Sequence, residues 1–137
     1  MIVADANLLL YLVLHGTRTE VARSVMAKDA AWAAPPLWSS EVISALARWV
    51  RRAEVAFDDA LAMYSGAAEA IGGREFDAEV RDVLTLAASS GCTGYDCEYV
   101  AVAQMLGVQL VTADKQVLGA FPRIAVAPEQ FVKGRAR

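Results

Sequence analysis

Short apolar runs alternate with longer segments of helical character along this 137-residue chain, and this alternation restricts the fold more than any other feature. Strands are expected at residues 2–4, 31–34, 108–112 and 124–126, with a very short one possible within 74–77. Helices are expected after residue 5 through 14, and over about 17–28, 39–52, 55–71, 78–90 and 94–104. Strands that alternate with helices predict an α/β fold, in which helices cover both faces of a parallel sheet of four to five strands.

Local signals set the expected helix ends. Thr17 and Glu20 fit a capping box that would open the second helix. Pro35 and Pro36 stop the second strand, and the run Ser39-Ser40-Glu41 is expected to open the third helix. Glycines at 72, 91 and 107 end the later helices.

Composition indicates a single globular domain over residues 1–137. Hydrophobic residues make up 56% and charged residues 21% of the chain, which excludes a disordered protein. The longest uncharged stretch, 99–113, is too short to cross a membrane. The N-terminus lacks the basic region of a secretory signal, so we expect a cytoplasmic protein. Cys92 and Cys97 are too few for a disulfide scaffold and are expected to be reduced thiols, Cys97 in the core.

Four acidic residues stand where such a fold would bring them together. Asp5 and Asp114 each follow a strand, and the carboxyl ends of parallel strands share one edge of the sheet, where ligands bind. Glu41 and Asp96 lie near expected helix starts that can face the same space. Carboxylates about 5 Å apart repel by roughly 3 kcal/mol per pair, and a counter-ion relieves that repulsion. Oxygen ligands select Mg²⁺ or Mn²⁺, and such ions support phosphodiester hydrolysis.

The charge balance is consistent with a nucleic-acid substrate once these acids are set aside. Thirteen basic and sixteen acidic residues give a net charge of −3, and without the four acids the remainder is +1. Arg48 and Arg52 share a helix face with Glu41, since residues seven and eleven apart nearly coincide around a helix. These two arginines, with Lys133, Arg135 and Arg137 at the tail, are candidates for phosphate contacts.

Four segments, in order, carry a resemblance to a known family. They are Val3-Ala4-Asp5-Ala6-Asn7-Leu8-Leu9, Ser40-Glu41-Val42-Ile43-Ser44-Ala45-Leu46, Tyr95-Asp96-Cys97-Glu98-Tyr99-Val100-Ala101-Val102-Ala103 and Leu110-Val111-Thr112-Ala113-Asp114-Lys115. Over nearly its whole length the chain resembles the PIN domain, and within it the VapC-like toxin ribonucleases of toxin-antitoxin pairs. The resemblance implies a PIN-like sheet, cleavage of single-stranded RNA, a homodimer and a small VapB-like antitoxin that occludes the site.

The resemblance also implies roles for individual residues. It assigns the Mg²⁺ or Mn²⁺ site to Asp5, Glu41, Asp96 and Asp114. Asn7 and Thr112 would help to orient these acids. Glu98 is a possible fifth acid, although it lies about 200° around the helix from Asp96 and has at most a secondary role.

Each residue also has a simpler explanation. Asp96 completes a capping-box pattern with Thr93, and Asp5 and Asp114 could be turn residues after strands. Glu41 could be a first-turn acid that faces the helix dipole. Arg48 and Arg52 could form a solvated helix face.

Two other functions compete with the ribonuclease. A phosphoaspartyl enzyme of the haloacid-dehalogenase or receiver type also places an aspartate after the first strand, but this chain has Asp5-Ala6-Asn7 and lacks the second acid. An RNA- or partner-binding module without significant turnover remains the non-enzymatic alternative. Metal-dependent turnover distinguishes the two remaining hypotheses.

Overall fold

The sheet is parallel throughout. The computed structural model describes residues 1–134, and its strands are β1 (Ile2–Ala4), β2 (Trp32–Ala33), β3 (Leu110–Val111) and β4 (Ala125–Val126). They pair in the order β2-β1-β3-β4. One further parallel bridge joins Ala34 to Glu75, which is all that forms of the very short strand expected within 74–77. The predicted α/β fold, with a parallel sheet of four to five strands, is confirmed, and the described residues form four strands.

Eight helices lie between and after the strands in the described part of the chain. They are α1 (Ala6–Val13), α2 (Thr19–Lys28), α3 (Leu37–Arg51), α4 (Phe57–Ile71), α5 (Val80–Ser90), α6 (Gly94–Leu106), α7 (Lys115–Ala120) and α8 (Pro128–Lys133). The first six match predicted helices within a few residues at each end. The two short helices α7 and α8 were not predicted. Among the described residues, none of these helices combines the length and the apolar character that a bilayer crossing requires.

Strand β1, one of the two inner strands of the sheet, is buried on both faces. Side chains alternate between the two faces of a sheet, yet Ile2, Val3 and Ala4 of β1 are all buried, so both faces are covered. Helix α6 contacts β1 and β3, and residues Tyr99 to Ala103 of this helix are buried without interruption. Cys97 is fully buried and both cysteines are free thiols, as predicted.

The beginning of α3 differs from the prediction. The helix starts at Leu37 after Pro36, not at Ser39, and Glu41 is therefore its fifth residue. Pro36 has φ −55° and ψ −23°, backbone angles that suit the start of a helix, and proline lacks the N–H that the first turn leaves unpaired. The first turn of α3 contains no acid, so the helix-dipole explanation of Glu41 is wrong.

The predicted capping box at Thr17 to Glu20 is also wrong. The residue before α2 is Arg18, and it makes no side-chain cap. The hydroxyl of Thr19 instead donates to the carbonyl oxygen of Leu14 and accepts from the N–H of Gly16 at 2.9 Å. Loop contacts, rather than a capping box, therefore hold the start of α2.

Candidate functional site

The four acids selected from the sequence line one cleft at the carboxyl edge of the sheet. The cleft has a volume of about 250 Å³. Its polar lining comprises Asp5, Asn7, Glu41, Arg48, Asp96, Tyr99, Thr112 and Asp114. It lies between β1 and β3, where the chain, having passed from β1 to β2 on one side, returns to β3 on the other. Such a reversal in strand order is the usual position of a ligand site in a parallel sheet.

Asp5 is the single residue between β1 and α1. Its Oδ1 accepts a hydrogen bond from the N–H of Leu8 at 2.9 Å, so Asp5 caps the first turn of α1. Its Oδ2 accepts a hydrogen bond from the hydroxyl of Thr112, which follows β3. Both carboxylate oxygens of Asp5 are thus fixed by groups from two separate segments.

Asp114 is held by the same threonine and caps another helix. The hydroxyl oxygen of Thr112 accepts from the N–H of Asp114 at 3.1 Å. Oδ1 of Asp114 accepts from the N–H groups of Gln116 and Val117 at 2.9 Å and 3.1 Å, which starts α7. Asp5 and Asp114 are therefore helix caps rather than ordinary turn residues, and each cap also brings a carboxylate to the cleft.

Helices α3 and α6 supply the other two acids, Glu41 and Asp96. Asp96 lies in the first turn of α6, where its N–H donates to the hydroxyl oxygen of Thr93 at 3.1 Å. The reciprocal bond of a capping box is absent from the described residues, since no hydrogen bond there ends on the Asp96 carboxylate. Capping therefore does not account for the acidic side chain of Asp96.

Tyr99 is the functional candidate that the sequence reasoning missed. Its hydroxyl donates to Oε1 of Glu41 at 2.6 Å, and the residue is 4% exposed. Tyr99 follows Asp96 by three residues on α6, so the two side chains share one face of that helix. This spacing was the available sequence signal, but it could not show that Glu41 would be the partner.

Burial and mutual repulsion raise the pKa of two of the acids. Burial is the main cause that raises the pKa of Asp5 to about 6, against the lowering effect of hydrogen bonds from Thr112 and the N–H of Leu8. The charges of Glu41 and Asp114 raise it further. Burial likewise raises the pKa of Glu41, opposed by the Tyr99 hydrogen bond and reinforced by the charges of Asp96 and Glu98. Burial and the bond to Glu41 raise the pKa of Tyr99, which keeps its phenol a donor.

The cleft acids repel one another, and no described basic side chain forms an ion pair with any of them. The ion pairs within residues 1–134 join Met1 to Asp29, Arg18 to Glu129 and Arg23 to Glu20, and none includes a cleft acid. In that same range no three acidic, thiol or imidazole side chains converge as a ready-made coordination shell. The donor set consists of carboxylate oxygens under mutual repulsion, and this chemistry fits a hard divalent cation.

The remaining predicted residues divide between the cleft and its surroundings. Asn7 and Arg48 are exposed and line the cleft. Glu98 is half-buried beside it, close enough to raise the pKa of Glu41. Arg52 is exposed just after α3 and does not line the cleft. Lys133 ends α8, whereas Arg135 and Arg137 lie outside the described residues.

Comparisons with known proteins agree with this architecture. The family model of the PIN domain matches residues 2–126. Ribonuclease VapC3 of Pyrobaculum aerophilum is 29% identical over 126 residues, which cover 90% of this chain and 96% of that protein. The crystal structure of PAE2754 from Pyrobaculum aerophilum superposes with a TM-score of 0.77 at 24% identity, over 96% of this chain and 85% of that one, and shows the same fold. Since the family model spans nearly the entire chain and the fold agrees, this chain belongs to the PIN domain family.

Proposed function

We propose that this chain is a cytoplasmic, metal-dependent endoribonuclease that hydrolyses phosphodiester bonds of RNA and acts as a toxin neutralised by a VapB-like antitoxin. The observation that carries the proposal is that Asp5, Glu41, Asp96 and Asp114, which come from four separate segments, all line one cleft. The similarity to Ribonuclease VapC3 supports the choice of RNA as substrate.

The four acids are proposed to hold Mg²⁺ or Mn²⁺. Thr112 would keep the Asp5 carboxylate in place, and the helix caps at Asp5 and Asp114 would prevent either side chain from turning away. Mg²⁺ is usually bound by one or two carboxylates together with water, so the acids need not form one closed shell. When bound, the cation supplies an acidified water and stabilises the charge on the phosphate oxygens.

Arg48 is proposed to bind the RNA backbone. Among the described residues that line the cleft, Arg48 is the one with a basic side chain. It is exposed. Its guanidinium can donate two parallel hydrogen bonds to one phosphate. Arg52 lies one turn further along and would contact the RNA outside the cleft. Asn7 would orient the acids or the substrate from the start of α1.

The test is cleavage of labelled, structured RNAs by purified protein in Mg²⁺, Mn²⁺ or EDTA, with Asp96→Asn beside the wild type. Asp82→Asn is a matched control, because Asp82 is the third residue of α5 as Asp96 is of α6, and Asp82 is exposed outside the cleft. We expect cleavage in either metal by the wild type and D82N, and none by D96N or in EDTA. Equal activity of D96N would refute the assignment of the site. A folded, metal-binding protein that cleaves no RNA would favour the binding module without turnover.

A protein partner is proposed for an apolar groove between α3 and α4. The groove exposes the large side chains Ile43, Phe57 and Leu61, whose burial against another chain would be favourable. The antitoxin would bind such a surface, and the toxin itself is proposed to form a homodimer. Light scattering of the purified chain should give twice its mass of 14.7 kDa, and a mass of 14.7 kDa would refute the dimer.

A further inference from the structure

The bond between Tyr99 and Glu41 links the two helices that supply cleft acids. The hydroxyl of Tyr99 on α6 donates to Oε1 of Glu41 on α3 at 2.6 Å, across 58 residues of sequence. The ring of Tyr99 is packed in the core, and its hydroxyl reaches the cleft lining. The Tyr99 end of this bond is therefore held by core packing. The other end is the carboxylate of Glu41, which is half-buried.

A glutamate needs such a restraint more than an aspartate does. Asp5 and Asp114 have short side chains. The Asp5 carboxylate accepts a hydrogen bond from one backbone N–H group, and the Asp114 carboxylate accepts from two. Glu41 has an additional rotatable bond. Among the described residues, the hydrogen bond that its carboxylate accepts comes from Tyr99. Partners that hydrogen-bond a metal-binding carboxylate fix its orientation and typically change metal affinity by about 10- to 100-fold.

We propose that Tyr99 is a positioning residue that holds the Glu41 carboxylate at the cleft so that it can bind the divalent cation together with Asp96. This inference rests on the proposed metal site. The proposal predicts that removal of the Tyr99 hydroxyl weakens binding of the cation without disrupting the fold, because the buried ring is retained.

The probe is Mn²⁺ alone, measured by electron paramagnetic resonance and by calorimetry, with no RNA present. Tyr99→Phe removes the hydroxyl. Tyr64→Phe is a matched control, since Tyr64 makes a 2.7 Å hydrogen bond to Ser39 on the same helix as Glu41, but away from the cleft. Its ring stacks on Trp38, with centroids 5.5 Å apart, and phenylalanine keeps that contact.

We expect Y99F to bind Mn²⁺ about 10-fold more weakly than the wild type and Y64F to bind it equally well. We also expect the RNA-cleaving activity of Y99F to recover at high Mn²⁺ concentration. If Y99F and Y64F weaken binding equally, the effect is a general loosening of α3, and the proposal is overturned. Unchanged Mn²⁺ affinity in Y99F also overturns it.

A second variant breaks the same bond from the other end and covers the case in which Y99F fails to fold. Glu41→Asp keeps the charge but shortens the side chain by one methylene, so it no longer reaches Tyr99. E41D should lose Mn²⁺ affinity, and the double variant E41D/Y99F should lose no more than E41D does. E41D with wild-type affinity contradicts the proposal. A wild type that binds no Mn²⁺ refutes the metal site and this inference together, whereas a wild type that binds it while Y99F is unaffected refutes only the role of Tyr99.

Discussion

The hydroxyl of Thr112 donates to the carboxylate of Asp5 and at the same time accepts from the N–H of Asp114 at 3.1 Å. One buried side chain, 1% exposed, therefore ties together the ends of β1 and β3. These strands are neighbours in the sheet, and each is followed by one of the proposed metal-binding acids.

Replacement of Thr112 by valine should lower stability. T112V keeps the branched shape but leaves an oxygen of Asp5 and the N–H of Asp114 without their partner, at a cost of roughly 2 kcal/mol. Thr112→Ser retains the hydroxyl and should lose much less. Urea unfolding of the metal-free proteins compares the two variants, and equal stability of T112V and T112S would show that these hydrogen bonds contribute little.

The pH dependence of the metal-free protein should show the cost of burying Asp5. Its pKa is raised in the folded protein from an ordinary value of 3.8 to about 6, so the folded state binds this proton more tightly than the unfolded state does. The contribution of Asp5 to the free energy of unfolding is therefore most favourable at low pH, where the carboxyl is protonated. This contribution is lost as pH rises from about 4 through 6. Above that range the ionised carboxylate destabilises the fold by up to about 3 kcal/mol.

Asp5→Asn isolates this contribution. Asparagine still caps α1 and carries no charge, so the difference in unfolding free energy between wild type and D5N should shift in favour of D5N as pH rises from 4 to 7.5. Urea titrations at several pH values provide the measurement. A difference that stays constant with pH would show that the pKa of Asp5 is not raised.

Divalent cations should stabilise the folded protein. A ligand that binds only the folded state adds about 2.7 kcal/mol at a concentration 100 times its dissociation constant, which corresponds to several degrees in the melting temperature. We expect Mg²⁺ or Mn²⁺ to raise the melting temperature of the wild type and of D82N at pH 7.5, and to raise that of D96N much less. Thermal melts with and without EDTA test this, and an equal rise in all three proteins would place the cation elsewhere.

Substitution of Arg48 should weaken RNA binding mainly through charge. In an uncleaving D96N background, Arg48→Ala should reduce the slope of log affinity against log salt by about 0.7, as expected when one phosphate contact with a single strand is lost. Arg81→Ala removes an exposed arginine of α5 and serves as the control. Filter binding over a salt series measures the slopes, and equal slopes for R48A and R81A would exclude a particular role for Arg48.

The sequence predicted the sheet and the four cleft acids for a physical reason. Short apolar runs followed by Asp5 and by Thr112-Ala113-Asp114 place these side chains at one edge of a parallel sheet, which is a local pattern. The start of α3 was misplaced because Ser39 and Ser40 resemble a cap, whereas Pro36 already has helical angles. The six-residue helices α7 and α8 are too short to show a period.

The role suggested for Tyr99 could not be read from the sequence alone. Its spacing from Asp96 indicates a shared face, but the contact with Glu41 depends on how α3 and α6 approach each other in three dimensions. Likewise, Arg52 lies at the C-cap of α3, one turn beyond Arg48, and does not line the cleft. Tertiary packing decides these relations.

The junction between β1 and α1 is one residue long and contains no loop. Asp5 alone separates a strand that is hydrogen-bonded on both sides from a helix whose first turn it caps. An inserted residue at this point has no loop to occupy: it must either push Asp5 out of the cleft or slide β1 along its neighbours, which turns buried side chains to the opposite face. Tolerance to insertions should therefore be lowest at the boundary between Ala4 and Ala6, even though this boundary borders an open cleft.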